Sequence, residues 1–199
     1  MHISRGEWCV SEDVFLVMVI IFVVSWFLGS LATLYLVMFA PNELQTVNDM
    51  IKQAYGDIPI EFYSIDTAFY IFRRNLLVAA ISTASGLLVF IPGAIVFANG
   101  FIVGMVIMLV IMTEGSPLLG FVAIAPHGVF ELPAILMASA FGTKLGIDFW
   151  KYVFKRNRED IAKTLKILPK IILIIVLLLL VASLIESFIT PYIVSRLID

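Results

Sequence analysis

A histidine and a carboxylate lie close together inside an apolar run of this sequence. His127 and Glu131 are four residues apart, so on a helix they share one face. Glu186 lies near the end of another apolar run, and Asn75 and Asn99 add amides. If these runs span a membrane, a central charged residue costs about 2.5–3.5 kcal/mol on insertion scales, so such residues usually mark a site. We predict that these five residues form a polar intramembrane cluster.

Three kinds of chemistry fit these residue types. In the first, His127 and Glu131 have a structural role and hydrogen-bond backbone carbonyls freed near a proline. In the second, the cluster binds a proton, a cation or a small solute during conduction or transport. In the third, His127, Glu131 and Glu186 serve as metal ligands or acid-base groups. The sequence has no paired-histidine metal motif, phosphate-binding glycine loop or nucleophile elbow, so we predict no metal, no cofactor and no enzyme.

The same stretch contains residues that interrupt helices. Pro133 has no backbone N–H to donate, and Pro126 and Gly128 weaken the helix just before it. Irregular backbone at membrane depth is tolerated only where protein or a water-filled cavity surrounds it. We therefore expect a broken helix here that faces other helices and not lipid.

The composition identifies the class of protein. Of the 199 residues, 61% are hydrophobic and only 14% are charged, and the mean hydropathy is +1.06. These values are typical of an integral membrane protein and not of a soluble domain. The formal net charge of −2 offers no electrostatic footprint for nucleic acid.

The apolar runs predict one all-α domain over residues 1–199, a polytopic transmembrane helical bundle with about five spans. The spans are expected at 14–40, 75–91, 93–112, 118–142 and 171–190, the fourth being the broken helix. A re-entrant fourth segment is the alternative, and it makes the number of crossings even. Residues 42–56 show helical amphipathicity and predict a helix that lies either on the outer membrane surface or on the rim of the protein.

The charge distribution predicts the orientation in the membrane. Residues 144–170 carry eight basic and three acidic side chains, which is the strongest positive-inside signal in the chain. We expect this segment to be a cytoplasmic loop of a multi-pass protein of the cell membrane. The N-terminus is then inside, and the 42–56 connection and the C-terminal tail are outside.

Small residues predict where helices approach closely. Gly100 and Gly104 form a small-x-x-x-small pair, Gly86 follows Ser82 at the same spacing, and Gly142 continues a ladder of small residues. We predict that these glycines serve helix packing and that the protein self-associates through such faces.

The chain also resembles a known family, the stage II sporulation protein M family of multi-span membrane proteins. The matching residues are Ile71–Leu76 (IFRRNL), Asn99 and Gly100 with Gly104, Pro126–Ala134 (PHGVFELPA) and Ile185–Pro191 (IESFITP).

The resemblance implies a non-enzyme. The member of this family in spore formers resembles a membrane scaffold. It recruits partners that remodel the cell envelope, and it is not itself regarded as the hydrolase among them. We therefore expect a membrane scaffold or assembly component that contacts membrane lipid, copies of itself and envelope or membrane proteins. The alternative is a small channel or permease that uses the His/Glu cluster.

Overall fold

The computed structural model describes residues 12–40, 43, 63–122, 124–156 and 158–198. Its elements are α1 (Glu12–Phe39), α2 (Ile65–Ala84), a 3₁₀ turn (Ser85–Leu87), α3 (Ile91–Glu114), α4 (Pro117–Val122), α5 (Ala125–Lys155), α6 (Arg158–Leu184), a π-helical segment (Ile185–Ile189) and α7 (Thr190–Ile198). No strand occurs within these ranges, and the predicted all-α bundle is confirmed. The predicted amphipathic helix over 42–56 lies outside the described residues, apart from Glu43.

Backbone contact at small residues holds α1 against α3. A Cβ added to Gly100 would overlap the Ser25 side chain, and one added to Gly104 would overlap the Trp26 carbonyl. The Ser30 hydroxyl donates to the Gly104 carbonyl at 3.2 Å. Residues later in α1 contact residues later in α3, so the two helices run parallel.

A second stripe of small residues holds α2 and the 3₁₀ turn against α5. A Cβ on Gly86 would overlap the Gly142 carbonyl, and one on Gly146 would overlap the Gly86 carbonyl. One turn away, the Ser82 and Ser139 hydroxyls are 2.7 Å apart and fully buried. Here too, residues later in α2 and the turn contact residues later in α5, so α2 and α5 are also parallel.

The two parallel pairs determine the path of the chain. Because α1 and α3 point the same way, α2 has to bring the chain back between them, and α5 repeats the direction of α2. The apolar core lies where α2, α5 and α6 meet, around Ala79, Phe141 and Leu179. Four helical stretches have the length and composition of membrane spans: Glu12–Phe39, Ile91–Thr113, Gly128–Lys155 and Arg158–Leu197. Since α2 is not among them, the five-span count stays a prediction.

The start of α2 differs from the predicted span 75–91. The helix begins at Ile65 because Ser64 caps it, its hydroxyl accepting the Asp66 N–H at 3.2 Å. It ends at Ala84, before the 3₁₀ turn. Arg74 therefore lies inside α2.

The fourth apolar run is interrupted at a different place from the one predicted. The 118–142 run is divided between α4 and α5, and α5 continues without a break to Lys155. Pro126 lies in the first turn of α5, where no backbone N–H is needed. Gly128 and Pro133 lie inside the continuous helix, so the loss of one backbone hydrogen bond at Pro133 does not end it.

The prediction of a loop over residues 144–170 is corrected, because 144–155 and 158–170 are helical. α5 ends where Arg156 adopts a left-handed conformation with φ of 53°, and α6 begins two residues later. The stretch from Arg158 to Leu197 has 40 residues and so is about 60 Å long, twice the ~30 Å hydrocarbon core. The basic residues thus occupy the end of a helical hairpin.

We expect Gly104→Ala to lower the free energy of unfolding in detergent by about 1–3 kcal/mol, because the new methyl group overlaps backbone that cannot move away cheaply. Gly128→Ala is the matched control, since its Cβ would meet only the Ile124 side chain at 3.6 Å. Equal melting temperatures for the two variants would contradict the close α1–α3 contact.

Candidate functional site

Three of the predicted polar residues meet where α2, α5 and the π-helical segment pack together. Asn75 lies on α2, Glu131 on α5 and Glu186 on the π-helical segment, and all three are partly buried. The Asn75 side chain lies beside the Glu131 carboxylate, and Glu131 and Glu186 are close enough to interact electrostatically. The structure thus brings Asn75, Glu131 and Glu186 into one cluster.

Arg74 is the fourth member of this cluster. Its guanidinium interacts electrostatically with both Glu131 and Glu186, and the side chain is partly buried. A carboxylate at depth is strongly disfavoured unless an opposite charge or hydrogen-bond donors compensate it. One guanidinium faces two carboxylates, so the cluster carries an excess of negative charge when both are ionised. We call Arg74, Asn75, Glu131 and Glu186 the charged cluster.

The π-helical segment is held in place by the residues before α2. The Ser187 hydroxyl donates to the Ser64 carbonyl at 2.7 Å, and the Tyr63 N–H donates to the Ser187 carbonyl at 3.0 Å. Segments of π-helix are rare and often occur at functional sites. Here these bonds anchor the segment that carries Glu186 to the start of α2.

The other two predicted residues lie on α3 and in the first turn of α5. The Asn99 amide donates to the Ile95 carbonyl of its own helix at 2.8 Å, so α3 itself supplies its partner. His127 lies in the first turn of α5, one turn before Glu131. Among the described residues, no three His, Cys, Asp or Glu side chains are grouped to hold a metal ion.

A second ionic network joins α5 to α6 near the end of the hairpin. Asp148 is only 2% exposed, and its Oδ2 lies 2.5 Å from Lys144 Nζ and accepts the Thr164 hydroxyl at 2.6 Å. Lys144 also donates to Thr164 Oγ1 at 3.1 Å, and Lys151 lies 3.6 Å from Asp148 Oδ1. The buried carboxylate is fully compensated, so this network locks the two helices together.

Sequence reasoning missed Arg74 and this network for different reasons. The Ser64-x-Asp66 pattern is a helix-start signal, and it could have placed Arg74 in the middle of a helix. Lys144 and Asp148 show the spacing of a helical ion pair. The contribution of Thr164 depends on how α6 folds back on α5, which no local pattern reports.

The fold and the charged cluster define a polytopic helical membrane protein with ionisable side chains inside its bundle. The family described as Stage II sporulation protein M matches residues 15–191, and the chain belongs to it, which confirms the expected resemblance. An uncharacterized protein from Methanocaldococcus jannaschii is 31% identical over 163 residues, which is 79% of this chain and 86% of that protein. No solved structure matches the chain.

The network at the hairpin predicts a loss of stability when its acceptor is removed. We expect Asp148→Ala to lower the free energy of unfolding in detergent by about 2 kcal/mol, because Lys144 and Thr164 lose a charged hydrogen-bond acceptor. Lys163→Ala is the control, since Lys163 is 75% exposed and its pair should contribute less than about 0.5 kcal/mol. Similar melting temperatures for Asp148→Ala and wild type would refute the locking role.

The charged cluster predicts that Arg74 and Glu131 depend on each other. Arg74→Gln should destabilise the wild-type protein by about 3 kcal/mol, because two carboxylates then lack their counter-charge. In a Glu131→Gln background, the same change should cost at least about 1 kcal/mol less. The exposed Arg73, changed to Gln in both backgrounds, is the control and should show no coupling. Additive effects of the Arg74 and Glu131 changes would show that the two side chains do not interact.

Proposed function

We propose that this chain is a non-enzymatic scaffold or assembly component of the cell membrane, as expected of the stage II sporulation protein M type. The observation that carries this proposal is that the charged cluster joins three packed helical elements through interactions among its own side chains. Asn75 lies beside Glu131, and Arg74 acts on the carboxylates of two other elements. Polar groups used in this way hold helices in a fixed arrangement, which is what a scaffold requires.

The surface available to partners supports the same proposal. The small-residue stripes on α1, α3 and α5 are already filled by helices of the same chain. A second copy or another membrane protein would therefore contact the outer face of α1. Its apolar side chains recur at helical spacing and are each about half exposed: Val17, Ile20, Val24, Phe27 and Leu31. Lipid covers this face where no partner binds.

The basic end of the α5–α6 hairpin supports an orientation. Its lysines and arginines extend beyond the hydrocarbon core because α6 is too long to be contained in it. By the positive-inside rule, we place this end in the cytoplasm. The charged cluster then lies in the outer half of the bundle.

Transport of a proton or cation is the second candidate, and one specific feature favours it. The charged cluster has two carboxylates and one guanidinium, and Glu186 lies on a π-helical segment. An excess carboxylate next to irregular helix resembles the ion sites of transporters. A permease would use Glu186 or Glu131 to bind its cation and would need a hydrated path to both membrane faces.

Flux across liposomes separates the two functions. Purified wild-type protein, Glu131→Gln and Glu186→Gln are reconstituted, and the uptake of protons, sodium and potassium is measured under an imposed gradient. A scaffold gives the same flux as empty liposomes in all three samples. An ionophore added at the end verifies that the vesicles were sealed and held a gradient.

Flux above that of empty liposomes in wild type, abolished by both glutamine variants while they remain folded, would replace the scaffold by a channel or permease. Site-specific photo-crosslinkers at Phe27 and Leu31 supply the positive test of the scaffold. They should capture a second copy or a membrane protein in native membranes, whereas a crosslinker at Leu173, an exposed position on α6, is the matched control.

A further inference from the structure

The outer face of α6 changes from lysine to leucine along its length. Residues that alternate between three and four positions apart share one face of a helix. On α6 the opposite face is buried against the bundle, at Thr164, Ile171 and Ile175 among others. Each position of the outer stripe is exposed: Lys163, Lys166, Lys170, Leu173, Leu177, Leu180 and Leu184.

The change of residue type marks the edge of the hydrocarbon. Exposed leucines of a membrane span are covered by lipid, whereas a lysine at that depth is costly, so the edge lies between Lys170 and Leu173. The neighbouring helix gives the same depth. Phe141 of α5 packs in one apolar cluster with Ile171, and Lys144 is the first charged residue after it.

Two lysines of the stripe lie at the depth of the lipid phosphates. Lys166 is one turn from Lys170, about 6 Å further from the hydrocarbon, and the polar layer of each leaflet is about 5–7 Å thick. Among the described residues, neither Lys166 nor Lys170 forms an ion pair, whereas Lys163 lies 3.8 Å from Glu159. These two ammonium groups are therefore available to an anion in this layer.

The leucine part of the stripe has the length of an acyl chain. Leu184 is eleven residues after Leu173, which corresponds to about 16 Å of helix. One leaflet contributes about 15 Å to the hydrocarbon core. A lipid that stands beside α6 can thus touch the lysines with its headgroup and the leucines with its chains.

We propose that Lys166 and Lys170 bind the headgroup phosphate of an anionic phospholipid whose acyl chains lie along Leu173 and Leu177. The chemistry of the stripe identifies this ligand, because it joins a negative charge to hydrocarbon of leaflet length. Lysines close to an anionic membrane surface each strengthen binding, and the effect falls off within a Debye length. The proposal does not depend on whether the protein is a scaffold or a permease.

Native mass spectrometry of the detergent-purified protein tests this site with two lipids that have identical chains, palmitoyl-oleoyl phosphatidylglycerol and palmitoyl-oleoyl phosphatidylcholine. The first phosphatidylglycerol should bind about tenfold more tightly than the first phosphatidylcholine, whose choline group neutralises its own phosphate. Lys166→Gln combined with Lys170→Gln should reduce this preference to less than about twofold.

Two further double variants are the controls. Lys166→Arg with Lys170→Arg retains both charges and should keep the preference. Lys155→Gln with Arg158→Gln removes two charges near the tip of the hairpin, at least about 16 Å from the hydrocarbon edge, and should change the preference by less than about twofold. All four positions are exposed, and melting temperatures verify folding. If the double glutamine variant does not fold, Lys170→Gln decides alone, with an expected loss of about threefold.

Three results of the titration would overturn the proposal. The first is equal affinity of the wild-type protein for the two lipids, which would assign the lysines to an acidic protein partner. The second is a double glutamine variant that keeps the full preference. The third is a tip variant that loses the preference to the same extent, because the total charge of the hairpin would then select the lipid.

Melting temperatures also separate a lipid from a soluble anion. Phosphatidylglycerol should raise the melting temperature of the wild-type protein, because a ligand that binds only the folded state stabilises it. Excess inorganic phosphate, compared with chloride at the same ionic strength, should have no effect. An equal rise with inorganic phosphate would show that the lysines bind a soluble anion and would refute the lipid site.

Discussion

The bundle depends on close backbone contact at two stripes of small residues. Gly100 and Gly104 allow α3 to touch α1, and Gly86, Gly142 and Gly146 allow α2 to touch α5. In lipid there is no hydrophobic force between helices, so attraction comes from packing and from hydroxyls such as Ser82 and Ser30 that bond across the contact. The parallel direction of each pair follows from these contacts and sets the path of every later helix.

This path decides where charge can be placed. Because α2 runs beside α5 and the end of α6 folds back against both, Arg74 meets carboxylates that are far away in the sequence. At the opposite end, the α5–α6 hairpin surrounds Asp148 with Lys144 and Thr164. Asp148 is thus compensated by side chains of its own and the neighbouring helix, whereas two carboxylates of the charged cluster share one guanidinium.

The two ends of the bundle consequently differ in chemistry. The end with the charged cluster has irregular backbone, including the π-helical segment and the interruption between α4 and α5. The basic end has the connection between α5 and α6, the 3₁₀ turn and the ionic network around Asp148.

The sequence by itself determined the all-α membrane class, the family and the approximate positions of most apolar helices, because hydropathy and length are local properties. It also indicated Asn75, Glu131 and Glu186, since ionisable and amide groups stand out in apolar runs. Only the tertiary structure decided that Arg74 joins them, that α5 continues through Pro133 and that 144–155 and 158–170 belong to two helices. Those features depend on which helices lie side by side, and packing between distant segments can outweigh the local preference of a proline or a run of basic residues.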